Sequence, residues 1–279
     1  MLSPVLILEE NTQGRDIIIG DLHGMTPVLR TLLGEIDFNG RVDRLISVGD
    51  LIDRGAFSEE ALDLLDQDWF HCVRGNHEQF LIESMTDEGM RKQWFRNGGH
   101  WAENIDKEVL QGYADKLDDL PYLIEFKSGG ALVGVVHADL PAGLSWGTLK
   151  SRLEQEGCRY DQAGNALNND HLKEVMLWSR LRINKALEEE VEGVSRVFVG
   201  HTIVEKHNTL SNIVYLDTGA CVSQRTIGEP EHRLASTVSL TAAIIQDGGI
   251  LFHSTPSFSS IDVAPYDPAT GSSKMGYAW

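Results

Sequence analysis

At 279 residues, with 42% apolar and 24% charged side chains, the chain has the make-up of a soluble globular protein long enough for one large α/β domain or two small ones. Its formal charge of −18 disfavours nucleic acid or an anionic membrane as the main partner.

The first element, Met1 to Glu10, is a brief apolar stretch with no basic flank, so it fits neither a signal peptide nor a membrane span. Short apolar, β-branched runs then recur at Asp16–Gly20, Arg44–Gly49, Trp69–Arg74, Ala131–His137, Arg196–Gly200 and Ile213–Leu216, and they read as buried strands. Between the early runs, Thr26-Pro27 predicts an N-cap and a first-turn proline opening a helix with Val28, Leu29, Leu32, Leu33 and Ile36 on one face. Ser58 is expected to cap a second helix over Glu59–Leu65, with two acids in its first turn. Strand and helix alternate through the first 80 residues, which predicts βαβ units and a parallel sheet.

The stretch from about Leu81 to Asp119 reads as amphipathic helix, and one segment, Arg91–Arg96, stops at Asn97-Gly98-Gly99. Glu154–Asn169 is expected to be an exposed loop, followed by a longer helix over about Asp170–Glu190. Leu234–Phe252 predicts a hairpin around Asp247-Gly248-Gly249, and residues from about 254 to 279 an irregular tail. No repeat or linker divides the chain, so a single domain over residues 1–279 is expected, with two packed sheets flanked by helices. Cys72, Cys158 and Cys221 are odd in number and lack C-x-x-C spacing, so they read as reduced thiols and point to a cytoplasmic setting.

Chemistry-bearing residues gather where predicted strands stop. Asp21 and His23 follow the first run, Asp50 the second and Asn76 the third, while His137 and His201 close two later ones. Ligands of open α/β sheets bind beyond the carboxyl ends of strands. The first three residues suit one metal; Asp50, shared, suits a second with Asn76, His137 and His201. Gly20, Gly24, Gly49, Gly55 and Gly75 would let these segments converge. Two cations sharing an acidified water would deliver hydroxide in line onto a phosphate ester. Arg54 is placed to clamp the phosphoryl oxygens, His77 to protonate the leaving alkoxide, and Asp53 to orient His77. Each Gly-Asp pair or histidine taken alone reads as an ordinary turn or core residue.

The segments Gly20-Asp21-Leu22-His23-Gly24, Gly49-Asp50-Leu51-Ile52-Asp53-Arg54-Gly55, Gly75-Asn76-His77-Glu78, Val136-His137-Ala138-Asp139 and Val199-Gly200-His201-Thr202 resemble the phosphoprotein phosphatase family of binuclear metallophosphoesterases, nearest its bacterial and phage-lambda-type branch. Asn97-Gly98-Gly99, Leu177-Trp178-Ser179-Arg180 and Leu216-Asp217-Thr218-Gly219-Ala220 agree with it. The resemblance implies an α/β, four-layer αββα sandwich of two mixed sheets, two divalent ions (manganese first, with iron or zinc as alternatives), and a phosphomonoesterase acting on phosphorylated Ser or Thr, with Tyr and small aryl phosphates as further substrates. It also implies Arg180 as a second phosphate clamp beside Arg54 and Asn76; the alternative is a solvated helix face shared with Arg182. Asp139 departs from the His-Ala-Gly common in the family, and Glu78 is expected to support its motif by hydrogen bonds.

Three rivals stay open. A diadenosine tetraphosphate hydrolase shares nearly all these core motifs. A phosphodiesterase is disfavoured, because Ile203 stands where its G-H-x-H motif has histidine. A catalytically silent metal-binding module should lack a ligand, the acid or the arginine. The partner expected is a phosphorylated protein or small phosphate ester, with no nucleic acid and no membrane; oligomeric state is silent.

Overall fold

The computed structural model describes residues 3–155, 169–221 and 238–257, together with the short strand pair Arg159–Tyr160 and Ala166–Leu167. In chain order the strands and helices begin with β1 (Val5–Ile7), β2 (Asp16–Ile19), α1 (Thr26–Glu35), β3 (Arg44–Ser47), α2 (Ser58–Asp63), β4 (Phe70–Cys72), α3 (Asn76–Ser84), α4 (Glu88–Arg96) and α5 (Lys107–Asp118). They continue with β5 (Leu123–Ser128), β6 (Ala131–Val135), α6 (Trp146–Glu154), the pair β7 (Arg159–Tyr160) and β8 (Ala166–Leu167), α7 (Asn169–Trp178) and α8 (Leu181–Lys185). The last are β9 (Arg196–Val199), β10 (Asn208–Leu210), β11 (Ile213–Tyr215), β12 (Ser239–Gln246) and β13 (Gly249–Pro256).

The predicted βαβ start forms a parallel set: β2 pairs with β3, and β3 with β4, in the register Ile17↔Leu45 and Leu45↔Phe70. The β12–β13 hairpin adds antiparallel to β2, giving a five-stranded sheet in the order β13-β12-β2-β3-β4. The other large sheet runs β1-β5-β6-β9-β11-β10 and is also mixed. Period-2 alternation sorts side chains into layers. Ile18, Ile46, Ala243, Ile124, Phe126, Phe198 and Val214 meet between the sheets. Ile17, Ile19, Leu45 and Ile244 face outward onto α1 to α5, while Val197, Val199, Ile213 and Tyr215 pack against α6 and α7. The result is the expected αββα sandwich.

Several local expectations are corrected. Thr26 is the first helical residue, with Met25 at the N-cap and no side-chain cap. Ser58 likewise begins α2 rather than capping it, because its hydroxyl accepts from the Asp53 backbone N–H at 2.9 Å. The long helix proposed after Asn169 breaks in two at Ser179-Arg180. The strand pair β7–β8 lies within the segment expected to be a loop, and strands β1, β5 and β10 are likewise not predicted by the sequence pattern. The first and last are three residues long, and in β5 the charges of Glu125 and Lys127 interrupt the apolar pattern. Glu125 is nonetheless buried, accepting from the Trp146 indole and from Lys150. The hairpin is as expected, with Asp247 and Gly248 both at positive φ in a two-residue turn. Residues 254–256, expected in the tail, lie in β13, and Ser257 follows it, its N–H bonded to the Val238 carbonyl; residues 258–279, and most of the Glu154–Asn169 loop, fall outside the described residues.

Candidate metal centre

Both sheets deliver their strand ends to one place. Asp21 and His23 follow β2, Asp50 follows β3, Asn76 opens α3 just after β4, His137 follows β6 and His201 follows β9. All six are buried, and the structure brings them together around Asp50. Asp50 Oδ2 lies 3.5 Å from His23 Nε2 and 3.9 Å from His77 Nε2; its Oδ1 lies 3.4 Å from His137 Nε2. Asn76 Oδ1 sits 2.9 Å from His137 Nε2 and 2.8 Å from His201 Nδ1. Two clusters sharing Asp50 therefore have atoms close enough to hold ions: His23, Asp50 and His77, and Asp50, His137 and His201. Asp21 reaches this group through His201, whose backbone N–H it accepts at 3.1 Å on each oxygen.

The backbone is bent to make this possible. His23, Asp50, Asp53, Arg54 and His201 all adopt positive φ, between 46° and 74°, where side-chain-bearing residues are strained. Such strain concentrated in one place marks a site held for its geometry rather than its stability. Gly49 shares the positive φ, at 98°. Gly75 serves differently, since a Cβ there would fall 2.3 Å from Asp50 Oδ1. Glu78 ties the turn down, accepting the backbone N–H groups of Asp50, Leu51 and Gly75 at 2.8–2.9 Å. Burial raises its pKa to about 7.

Donor chemistry tests whether cations fit. His137 faces oxygen at both nitrogens: the Val48 carbonyl at Nδ1 and Asn76 at Nε2. His201 does the same with Asn76 at Nδ1 and the Trp178 carbonyl at Nε2. Burial lowers the pKa of both rings, that of His201 to about 3, so each is neutral and has only one N–H to share between two acceptors. Ring lone pairs, an amide oxygen and a carboxylate thus converge without enough protons between them. That is an arrangement a cation satisfies. His23 is also held neutral, by burial and by Arg54, with Nδ1 at 2.8 Å from the Ile52 carbonyl and Nε2 turned inward. Burial opposes ionisation of Asp50, but the positive charge of His77 and Arg54 beside it favours the carboxylate, and the net shift is downward.

Beside this cluster, His77 Nδ1 lies 2.6 Å from Asp53 Oδ2. Asp53 is wholly buried and also accepts the indole N–H groups of Trp94 and Trp101, at 2.8 and 2.7 Å. Burial lowers the His77 pKa, but Asp50 and Asp53 more than offset it and the net shift is upward. Exposed Arg54 spans the mouth, with Nη1 at 2.7 Å from His23 Nε2 and Nη2 at 2.9 Å from His77 Nε2. Arg180 is exposed on the other flank, its Nη2 donating to the His201 carbonyl at 3.3 Å.

Residues 15–205 match the calcineurin-like phosphoesterases. The chain belongs to this family. Calcineurin-like phosphoesterases bind divalent metals and hydrolyse phosphate esters, so the protein is a phosphatase of the metallophosphoesterase type. It is 30% identical to serine/threonine-protein phosphatase 2 of Escherichia coli over 214 residues, 75% of this chain and 88% of that one. It is 33% identical to the symmetrical bis(5'-nucleosyl)-tetraphosphatase of Pseudomonas fluorescens, but over 49% of this chain and 46% of that one. In fold it is similar to a protein serine/threonine phosphatase from Saccharomyces cerevisiae, with a TM-score of 0.59 at 16% identity, covering 95% and 87% of the two chains. Among the described residues no helix is long and apolar enough to cross a membrane.

Sequence reasoning missed some of the supporting residues. Trp94 and Trp101 both donate to Asp53, and nothing in their spacing announces a shared carboxylate. Asp217 touches Asp21, and burial raises its pKa to about 6. Its Leu216–Ala220 segment was noticed, but without that role. Arg182, which the alternative reading of Arg180 placed on a solvated helix face, is buried against Asp139.

Proposed function

We propose that the protein is a manganese-dependent phosphomonoesterase acting on phosphorylated serine and threonine side chains of proteins, with tyrosyl and small aryl phosphates as further substrates. One observation carries the reading: two clusters share Asp50, and in one of them His77 is backed by the Asp53 carboxylate and faced by the Arg54 guanidinium. Asp21, His23 and Asp50 would hold one ion; Asp50, Asn76, His137 and His201 the other. Mixed nitrogen and oxygen donors suit Mn²⁺, with iron or zinc as alternatives. When bound, the pair supplies Lewis acidity that brings the pKa of water towards neutrality.

The chain's own residues do the rest. Arg54 and Arg180 approach from opposite flanks and, with the Asn76 amide, neutralise and orient the phosphoryl oxygens. His77 holds a proton at Nε2 for the departing alkoxide, and Asp53 fixes the ring with Nδ1 protonated. Trp94 and Trp101 keep Asp53 from turning away. The net charge of −18 disfavours nucleic acid and anionic membranes, and Cys72 and Cys221, free among the described residues, agree with a cytoplasmic setting. Side-by-side turnover of a phosphoserine peptide and of diadenosine tetraphosphate tests the substrate class. Preferred cleavage of the peptide is expected; much faster cleavage of the dinucleotide would replace this reading with that of a dinucleotide hydrolase.

A further inference from the structure

Arg180 sits on a turn at the break between two helices, two residues past the end of α7 and at the N-cap of α8, where its carbonyl accepts the Asn184 N–H at 3.0 Å. The start of that turn is fixed to the metal centre, because the Trp178 carbonyl faces His201 Nε2 at 3.2 Å. Its remainder is gathered by one buried carboxylate. Asp139 Oδ2 accepts from Ser179 Oγ at 3.0 Å and from the Arg182 backbone N–H at 3.1 Å. Its Oδ1 accepts the Leu140 N–H at 2.7 Å and lies 3.5 Å from Arg182 Nε. Arg182, 2% exposed, also donates to the carbonyls of Leu140 and Glu189 at 3.3 and 2.7 Å. The Ser179 hydroxyl in turn accepts the Leu181 N–H at 3.1 Å. Residues 179, 181 and 182 are thus spent on holding the turn, while the guanidinium of Arg180 lies outward over His201.

The placement of Asp139 gives this network its meaning. It follows β6 two residues after His137, so one strand end aims both a candidate metal ligand and the turn that carries the second arginine. A long arginine side chain binds an anion better when its backbone origin does not wander, since less freedom remains to be lost on binding. Asp139 is 3% exposed, and its side chain contacts Ser179 and Arg182 of the turn and the Leu140 N–H.

We propose that Asp139 is a positioning residue for phosphate binding: it locks the Ser179–Arg182 turn so that Arg180 meets the phosphoryl group already oriented. This rests on the assignment of Arg180 as a phosphate clamp. The test uses metal-loaded, full-length enzyme and measures competitive inhibition by inorganic phosphate, KM and kcat for p-nitrophenyl phosphate, and bound metal. The variants are Asp139→Asn, Ser179→Ala, Arg180→Ala and the two doubles with Arg180→Ala. Loss of one charge-assisted contact weakens phosphate binding by about tenfold in Arg180→Ala. Asp139→Asn is expected to approach that loss and Ser179→Ala to show a smaller one, with metal content retained and the effect falling on KM and phosphate inhibition more than on kcat. Neither change should weaken binding further once Arg180 is gone, the signature of residues acting as one unit.

If Arg180→Ala weakens phosphate binding while both other variants leave it unchanged, the positioning role is overturned. Additive losses in the double variants overturn it as well. If Arg180→Ala itself leaves phosphate binding intact, the clamp assignment has failed, a result separable from the others. Should Asp139→Asn not fold, with Arg182 left unpaired in the interior, Ser179→Ala keeps that ion pair and carries the test alone.

Discussion

Replacing Asp53 by Asn tests the proton-donor arrangement at little change in shape. Asp53 is fully buried and its two oxygens accept from three N–H groups, those of His77, Trp94 and Trp101. The amide keeps one acceptor and turns an NH₂ towards donors, leaving one of the three without a partner. An unsatisfied buried donor costs about 1–3 kcal/mol. At roughly 2–4 °C per kcal/mol for a chain of this size class, the melting temperature should fall by several degrees, and the protein should still fold. The chemical effect is larger. Without the carboxylate, His77 loses the partner that fixes its Nδ1 proton and two of the influences that raise its pKa.

General-acid catalysis is worth about 10²–10⁴ in rate, or roughly 2.7–5.4 kcal/mol of barrier. That loss should appear in kcat for a phosphoserine peptide, whose alkoxide must be protonated as it leaves. Nitrophenyl phosphate needs little such help and should lose far less. With the His77 pKa lowered, the proton is also lost at lower pH, so the alkaline limb of the peptide rate profile should move towards acid. Bound metal should be unchanged, because Asp53 belongs to neither donor set. Equal losses on both substrates would refute the argument.

Phe198 lies between the two sheets with no exposed surface, so Phe198→Ala should cost about 3–5 kcal/mol, read as a lowered urea midpoint. Far from the site, burial alone would raise the Asp43 pKa, but bonds from Arg15 and from the Arg15 and Asn39 backbone outweigh it and the net shift is downward. A carboxyl depressed in the folded state adds stability above its unfolded pKa of about 3.9 and loses it as pH falls through the folded value. Asp43→Asn should therefore lower stability in urea melts at neutral pH, and the gap from the parent should close in strong acid. Chelation should abolish nitrophenyl phosphate hydrolysis and manganese should restore it; activity that survives exhaustive chelation would remove the two-metal reading.

The parallel set β2-β3-β4 was legible because its strands are short apolar runs, each followed by a motif that cannot continue a strand. The same punctuation placed Asp21, His23, Asp50, Asn76, His137 and His201 at strand ends. Strand β5 stayed hidden because Glu125 breaks its pattern; only its partners Trp146 and Lys150, more than twenty residues on, make that charge acceptable in the interior. Ser58 misled for a related reason. A serine before a helix has two uses for its hydroxyl, and here the strained turn at Asp53 takes it. The contacts of Trp94 and Trp101 with Asp53 span more than forty residues, and no local spacing encodes them. Asp139 looked like a departure from a motif; its pairing with Arg182 depends on a helix break that periodicity did not reveal.

The most direct measurement is anomalous diffraction from crystals grown with manganese, with data on either side of the metal's absorption edge. Two peaks should flank the Asp50 carboxylate, one on the side of Asp21 and His23 and the other among Asn76, His137 and His201. A single peak, or peaks remote from Asp50, would contradict the shared two-metal centre on which the proposed chemistry stands.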